Sequence, residues 1–506
     1  MPLKCVFRVD SSSQIGAGHV MRCLTLANYL RDRQVTCVFV CRDYSGNIGG
    51  KIAESGFEVC LLPSSTEGSE AHGIGINQEA DAEAFSALMV KGADWFIVDH
   101  YALDDQWENF VRAKFPNTKI MVIDDLADRP HACDVLLDLS PGREASDYQS
   151  LVDSSCELLI GLEYALLRPE FSKARQNLNG PPRTMKENPE ILVTFGGGHV
   201  FQPAVAALDA LGELIEHYSF HIRLVGEFEA VEIAPELHGH LEKITFEPDM
   251  AKRIGTADLL VCAAGGTSWE RCCLGVPAIV LMVAENQRLN FEGIEASRSG
   301  LCVETDKSSI KEALRNIFED GALYRELAEN AWQLCDGKGG QRVADMLVSR
   351  SLEVVSATMA DARFVYEARY AGNAAEFYKH AEQPAFEHHV KWFENALVIE
   401  DCVLLCIRMG KENVAHVRFD LESGIPDKAE IGIALSPQFR GKGLARAVMM
   451  AAIEHARQRG IHTISAEVHP ENTASITLFE ASGFVSQHVN SQGFVYYLND
   501  TNPVGG

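Results

Sequence analysis

The apolar positions fall into three stretches with different rhythms. Over about residues 1–165, short apolar runs at Cys5–Val9, Thr36–Cys41, Trp95–Val98 and Ile120–Ile123 alternate with amphipathic stretches such as Val20–Asp32 and Asp105–Lys114. Unbroken apolar runs read as strands buried on both faces, and strand–helix alternation predicts an open parallel sheet flanked by helices. Residues 168–189 then turn polar, with Arg168-Pro169-Glu170, Gly180-Pro181-Pro182 and Glu187-Asn188-Pro189, which predicts a linker. A second alternating block follows, with strands expected at Ile191–Phe195, His221–Val225, Leu259–Ala263 and Ala278–Met282, closing near Asp345. The third stretch differs. Val403–Arg408, Val414–Asp420 and Ala429–Leu435 read as antiparallel strands, Gly443–Arg459 as a long helix and Thr463–His469 as a strand. The expected fold class is therefore two doubly wound α/β halves of Rossmann type, 1–167 and 190–350, joined by the 168–189 linker and followed by an α+β domain over 356–500. Two such halves make a cleft, a favoured place for ligands.

A chain of 506 residues is long enough for three domains. The formal net charge of -26 argues against nucleic-acid or anionic-membrane partners, which want clustered Lys and Arg. It leaves a nucleotide possible, because helix termini rather than net charge hold phosphate. The 14 cysteines form no CxxC pair, and many stand in apolar runs, as buried thiols do in a reducing cytosol. The apolar run near Met1 is too short for a signal peptide, and no run is long enough to span a membrane. A cytoplasmic protein is expected.

Candidate chemistry begins where the first strand meets the first helix, at Asp10-Ser11-Ser12-Ser13-Gln14-Ile15-Gly16-Ala17-Gly18-His19. Glycines such as Gly16 and Gly18 let backbone approach a ligand, and free amides at a helix start suit negative charge. A structural turn has the same look. A free imidazole titrates near neutrality, so a histidine such as His19 can take a proton from water, or it can simply cap its loop.

Four stretches carry a resemblance. Asp10 to Leu24, Val98-Asp99-His100-Tyr101, Ile123 to His131 and Tyr164 to Phe171 resemble, in order, the UDP-2,4-diacetamido-2,4,6-trideoxy-β-L-altropyranose hydrolases of pseudaminic acid synthesis. The resemblance spans about residues 3–345. It implies a GT-B arrangement, a catalytic and sugar-binding first half, and His19 as the catalytic base. Asp10 and Asp99 then orient the sugar or His19, although both also fit a capping task. Arg22, His100 and Tyr101 fall in the same stretches and are expected near the substrate.

In the second block, Ala257 to Glu270 is a strand, a small-residue loop and a helix, followed by Gly275-Val276-Pro277 and Glu285-Asn286-Gln287. It resembles the nucleotide half of the glycosyltransferase that makes lipid II. Gly265 and Gly266 admit a diphosphate to the helix start, with Thr267 and Ser268 beside it, and Glu270 can accept from both ribose hydroxyls. Asn286 and Gln287 are expected to line the same site. Gly196 and Gly197 end the preceding strand, but Gly198-His199 departs from the Gly-Gly-Ser-Asp common in the hydrolases. No metal is expected, and Asp124-Asp125 reads as a solvated loop rather than a cation site.

The third block carries Gln438-Phe439-Arg440-Gly441-Lys442-Gly443 between a strand and a helix, which fits the GNAT acetyltransferase signature. Its amides can bind the pyrophosphate of acetyl-CoA, with Leu435, Leu444 and Ala445 flanking it. Asn472 to Phe484 resembles the family's second motif, which implies that Asn472 and Phe479 border acetyl-CoA. Phe479 stands where many members carry a Tyr that protonates the leaving thiolate, and Phe cannot do this. Tyr496, Tyr497 or water are the alternatives, and Glu430 and Glu467 are candidate bases. Phe386 to Phe393 resembles the short helix of sugar-amine acetyltransferases, which implies that His389 and Trp392 line the acceptor site.

The two resemblances together imply consecutive steps: acetyl-CoA acetylates the 4-amine of a UDP-amino sugar, and hydrolysis then removes UDP. The resemblance also implies contact with other enzymes of the same pathway. Three other readings stay open: a glycosyltransferase with an inert or binding-only third domain, a scaffold, and a protein N-terminal acetyltransferase.

Overall fold

The computed structural model describes residues 3–64, 77–89, 92–178, 180–181, 184–196, 201–228, 231–372, 377, 382–491 and 493–500. The first lobe is built on seven parallel strands, β1 (Lys4–Val9), β2 (Thr36–Arg42), β3 (Glu58–Leu62), β4 (Trp95–Asp99), β5 (Lys119–Ile123), β6 (Val135–Asp138) and β7 (Glu157–Ile160). Their order is β3-β2-β1-β4-β5-β6-β7. The central strands are buried on both faces, hence their unbroken apolar runs. Strand order reverses between β1 and β4, so the crevice beyond their carboxyl ends is where a ligand belongs. Val9 pairs with Asp99 across that switch point, which sets Asp10 and Asp99 side by side at the crevice.

The second lobe repeats the plan with β8 (Glu190–Thr194), β9 (His221–Val225), β10 (Leu241–Ile244), β11 (Leu259–Ala263), β12 (Ala278–Leu281) and β13 (Leu301–Val303), in the order β10-β9-β8-β11-β12-β13. Its switch point lies between β8 and β11. Gly265 follows β11, and a helix runs from Gly266–Cys273.

Part of the expected linker is a packed helix, Pro169–Gln176, with Pro at its first turn and Phe171 fully buried. Arg175 lies 3.5 Å over the Trp332 ring and donates to the carbonyls of Cys273, Cys335 and Trp332. Polar composition suggested a linker because an eight-residue helix that shows one aromatic to the core leaves the rest of its surface polar.

The second block also ends differently. The helix Gly339–Ser351 leaves the second lobe's core and packs on the first lobe, against the helix Gly18–Arg31. Val343, Ala344, Leu347 and Val348 share one buried cluster with Tyr29, Leu30 and Trp95 of the first lobe and with Val448 and Met449 of the third domain. Trp95 Nε1 donates to Leu347 O at 3.1 Å and to Ser351 Oγ at 2.8 Å.

The third domain has a mixed sheet of β14 (Glu353–Ser356), β15 (Cys402–Met409), β16 (Glu412–Glu422), β17 (Ile425–Leu435), β18 (Thr463–Val468), β19 (Val485–Val489) and β20 (Val495–Asp500). The order is β14-β15-β16-β17-β18-β20-β19. β17 and β18 are its only parallel pair among the described strands, and they pair only over Lys428–Glu430 and Thr463–Ser465. Beyond Glu430 the two strands splay, and β17 runs on to Leu435 with its β18-facing edge open.

Candidate functional site

The first site lies in the cleft between the two lobes. His19 is the second residue of the helix Gly18–Arg31, and Arg22 stands one turn further on. His19 Nδ1 lies 2.6 Å from Asp99 Oδ1, and Arg22 reaches both oxygens of Asp99 at 2.6 Å. Burial alone would raise the Asp99 carboxyl. Arg22 and then His19 outweigh it and hold Asp99 well below the usual carboxylate range. An ionised, immobile Asp99 fixes Nδ1–H of His19 towards itself and leaves Nε2 for the cleft that His19 lines. Tyr101 packs edge-on against the imidazole at 4.6 Å between ring centres. Arg22 also donates to Asp125 at 2.9 Å.

Asp10 has a supporting task. Arg8 donates to both its oxygens at 2.6 and 2.9 Å, the Arg42 amide donates at 2.6 Å, and His100 Nε2 lies 3.1 Å away. His100 Nδ1 accepts from the Ala102 amide, so Nε2 carries the proton and donates to Asp10. Asp81 completes the cluster by accepting from Arg8, Arg42 and Trp107. With its acceptor sites taken, Asp10 holds the ring of His100 at the crevice wall; it is not a free catalytic carboxylate.

The opposite wall is the second lobe. Gly265 and Gly266 line the cavity at the start of their helix, where no side chain caps the first turn. Two helix N-termini, one at Gly18 and one at Gly266, thus face one cavity of about 460 Å³, an arrangement that favours an anion. Asn286 and Gln287 line it too. Ser268 does not serve as expected: it is fully buried and its hydroxyl donates to Ala263 O at 3.0 Å. Thr267 is half-buried beside it and is not among the cavity's walls. Glu270 sits one turn into the helix and accepts from Arg168 at 3.0 Å. Burial raises its carboxyl, and Arg168 partly offsets this. Gly16 and Gly196 have φ of 79°, in the left-handed region glycine favours. Gly197 and His199 lie outside the described residues.

Sequence reasoning passed over Asp125, Ser140 and Asn290 as cavity walls. It also took Asp124 for solvated. Asp124 is fully buried, paired with Arg129 at 2.8 Å and hydrogen-bonded by Tyr148. Arg129 occupies the place a cation would need. Among the described residues no group of three or more His, Cys, Asp or Glu is arranged to hold a metal ion.

The second site is in the third domain. Gly441 and Gly443 adopt φ of 71° and 67°, which turns the chain from β17 into the helix Ala445–Gln458. That helix start also lacks a side-chain cap. Gln438 is exposed at the loop, Lys442 lies over the Phe439 ring at 5.7 Å and Leu444 is buried beneath it. Arg440 is committed elsewhere: it donates to the carbonyls of Leu435, Ala371 and Ala368 and so braces the loop instead of offering itself to a phosphate. Asn472 caps its own helix by accepting from the Ser475 amide at 3.1 Å. Phe479 is core, with its ring 4.9 Å from Phe484 and stacked on Tyr497 at 6.2 Å. It is the one buried residue of its helix and is not a wall of the cavity in this domain. Tyr497 is buried behind it and donates to Glu480 at 3.2 Å.

Beside the splay of β17 and β18 lies a cavity of about 600 Å³, walled by Glu430, Gly432, Glu467, His389, Trp392, His416 and Arg418 among others. Glu430 and Glu467, the expected base candidates, therefore share one cavity with His389 and Trp392.

Comparison with known proteins fits both sites. Residues 191–339 match the Glycosyltransferase family 28 C-terminal domain, and residues 367–484 match the Acetyltransferase (GNAT) family. The chain thus joins a stretch that matches a glycosyltransferase-family domain to one that matches the GNAT acetyltransferases. Among curated proteins it is similar to the UDP-2,4-diacetamido-2,4,6-trideoxy-beta-L-altropyranose hydrolase of Campylobacter jejuni, at 32% identity over 176 residues, 35% of this chain and 56% of the hydrolase. The match therefore spans just over half of that relative's length. An uncharacterized protein of Methanocaldococcus jannaschii, MJ1062, is 22% identical over 95% of this chain and 96% of its own length. A crystal structure of Acinetobacter baumannii MurG covers 68% of this chain and 99% of that one, at 16% identity and a TM-score of 0.49. No helix among the described residues is long and apolar enough to cross a membrane.

Proposed function

We propose that the chain is a bifunctional enzyme of pseudaminic acid synthesis. Its cleft hydrolyses UDP-2,4-diacetamido-2,4,6-trideoxy-β-L-altropyranose, and its third domain acetylates the 4-amine of the UDP-amino sugar that precedes it. The observation that carries the first reading is the His19–Asp99–Arg22 constellation facing the Gly265–Gly266 helix start across one cavity. His19 Nε2 takes a proton from water as the water oxygen attacks the anomeric carbon. The bond from that carbon to the UDP oxygen breaks with inversion. The charge left on UDP is met by the helix start, and Glu270 receives the ribose hydroxyls. The likeness to the Campylobacter hydrolase supports water as the acceptor.

In the third domain, the open edge of β17 offers backbone groups to the amides of the pantetheine arm, and the Gln438–Ala445 loop receives the pyrophosphate of acetyl-CoA. The amine attacks the thioester carbonyl, the C–S bond breaks, and solvent protonates the thiolate because Phe479 cannot. Glu430 or Glu467 passes the amine proton to water. Both substrates place the enzyme in the cytoplasm.

The test is mass spectrometry of products from the UDP-4-amino sugar with and without acetyl-CoA, for wild type and His19→Ala. Acetylated free sugar plus UDP is expected, with UDP release lost and acetylation kept in His19→Ala. UDP release only on addition of a sugar or lipid acceptor would instead establish a glycosyltransferase, and absence of acetylation a binding-only third domain.

A further inference from the structure

His416 lies near the middle of β16, on the face of the sheet that floors the acetyltransferase cavity. Side chains alternate along a strand, and register pairs His416 with Ala434, Arg418 with Gly432 and Asp420 with Glu430. All six line the cavity. On the other face Ala415, Val417 and Phe419 belong to the core. A histidine buried at this spot is 2% exposed, where an apolar residue would have packed at no polar cost.

Its two nitrogens are not equivalent. Nδ1 lies 3.0 Å from Leu405 O, a group that can only accept, so Nδ1 carries the proton. Nε2 is therefore a lone pair. It is buried and has no partner among the described residues. Buried polar atoms are nearly always satisfied, and an orphan on a cavity wall is a place for a ligand's donor. The opposite demand exists in the same cavity. A primary amine attacking a thioester needs its N–H groups held so that its lone pair faces the carbonyl carbon.

We propose that His416 Nε2 accepts an N–H of the acceptor amine and aims that amine at the thioester held along the open edge of β17. This deepens the acetyltransferase reading and rests on it. His416 touches the reacting nitrogen without taking its proton. Burial foremost, and then Arg369, Arg418 and His389, disfavour the imidazolium and push His416 down to about 3, too acidic a conjugate acid to draw a proton from an amine at neutral pH. The proton leaves instead through the carboxylates that share the cavity, Glu430, Glu467 and Asp420.

Two substitutions and one spectrum test this. His416→Phe fills the volume without an acceptor, and His416→Gln restores an acceptor near the position of Nε2. His416→Phe is expected to lower kcat/KM for the UDP-4-amino sugar about 100-fold, as loss of an orienting hydrogen bond does. CoA affinity by calorimetry and UDP release from the diacetamido sugar are expected to stay at wild-type values. His416→Gln is expected to recover at least about a tenth of wild-type kcat/KM. His416→Phe within about threefold of wild type, or His416→Gln no better than His416→Phe, overturns the proposal. In wild-type protein with 15N-labelled histidine, the Nε2 signal lost in His416→Gln is expected to shift when the UDP-4-amino sugar is added and to stay put with UDP alone. Absence of that shift overturns the role of His416 whatever the variants do. A shift without turnover in wild type keeps His416 and refutes the acetyltransferase reading, so the two failures are distinguishable.

Discussion

Asp99 carries two obligations at once. It fixes the tautomer of His19 and it neutralises Arg22, all from one buried carboxylate. Asp99→Asn keeps the shape but can present an amide N–H to His19, which then offers the wrong nitrogen to water. UDP release is expected to fall by about 100- to 10,000-fold, as such orienting carboxylates do, with acetylation unchanged; a continuous UDP assay beside an acetylation assay measures both. His416 makes a pH-dependent contribution to stability. In the unfolded chain it gains a proton below about 6.5, whereas the folded chain resists until about 3. Its stabilisation is therefore full above pH 6.5 and declines as pH falls towards 3, by about 1.4 kcal/mol per pH unit. Urea unfolding at about pH 7 and about pH 5 is expected to show wild type losing roughly 2 kcal/mol more than His416→Phe. Single residues were legible where the chemistry is local. His19, Arg22 and Gly265 sit in motifs that read along the chain. The network around Asp10 was not legible because Asp81 joins it through Arg8, across 73 residues. The lone pair of His416 was invisible because a strand histidine says nothing of which carbonyl it faces.

At the scale of elements, glycine placement explains how the helix Gly339–Ser351 reaches the first lobe. A Cβ on Gly340 would collide with the Tyr29 ring, and one on Gly339 with the backbone of Tyr164 and Ala165. Gly340→Ala is expected to destabilise the protein by about 1–3 kcal/mol through overpacking, read as a lower urea midpoint, although Ala is the better helix former. In this case tertiary contact outweighs propensity. The central strands were legible in the sequence because burial on both faces makes them uniformly apolar. β10 was not, since Glu242 and Lys243 are exposed at the sheet edge, and neither was β19, which is exposed throughout. The helix Pro169–Gln176 was hidden for the related reason that one buried Phe171 does not make a period.

At the scale of the molecule, the lobes and the third domain meet at one charged residue. Asp345, 1% exposed, binds Arg33 of the first lobe at 2.6 Å and Arg446 of the acetyltransferase helix at 3.4 Å. Gly443, in the loop that opens the helix Ala445–Gln458, stands against Asp32 and Arg33. Asp345→Ala leaves two cations facing each other in a buried joint and is expected to cost about 3 kcal/mol. A calorimetric scan is expected to show the first lobe and the acetyltransferase domain melting together, and both moving down by the same amount in the variant.

The shared helix has a consequence for heredity. Because Val343, Leu347 and their neighbours fill the core of two modules at once, a mutation that loosens either module weakens the ground under the other. A cell that needs only one of the two modules still exerts selection on the sequence that carries both.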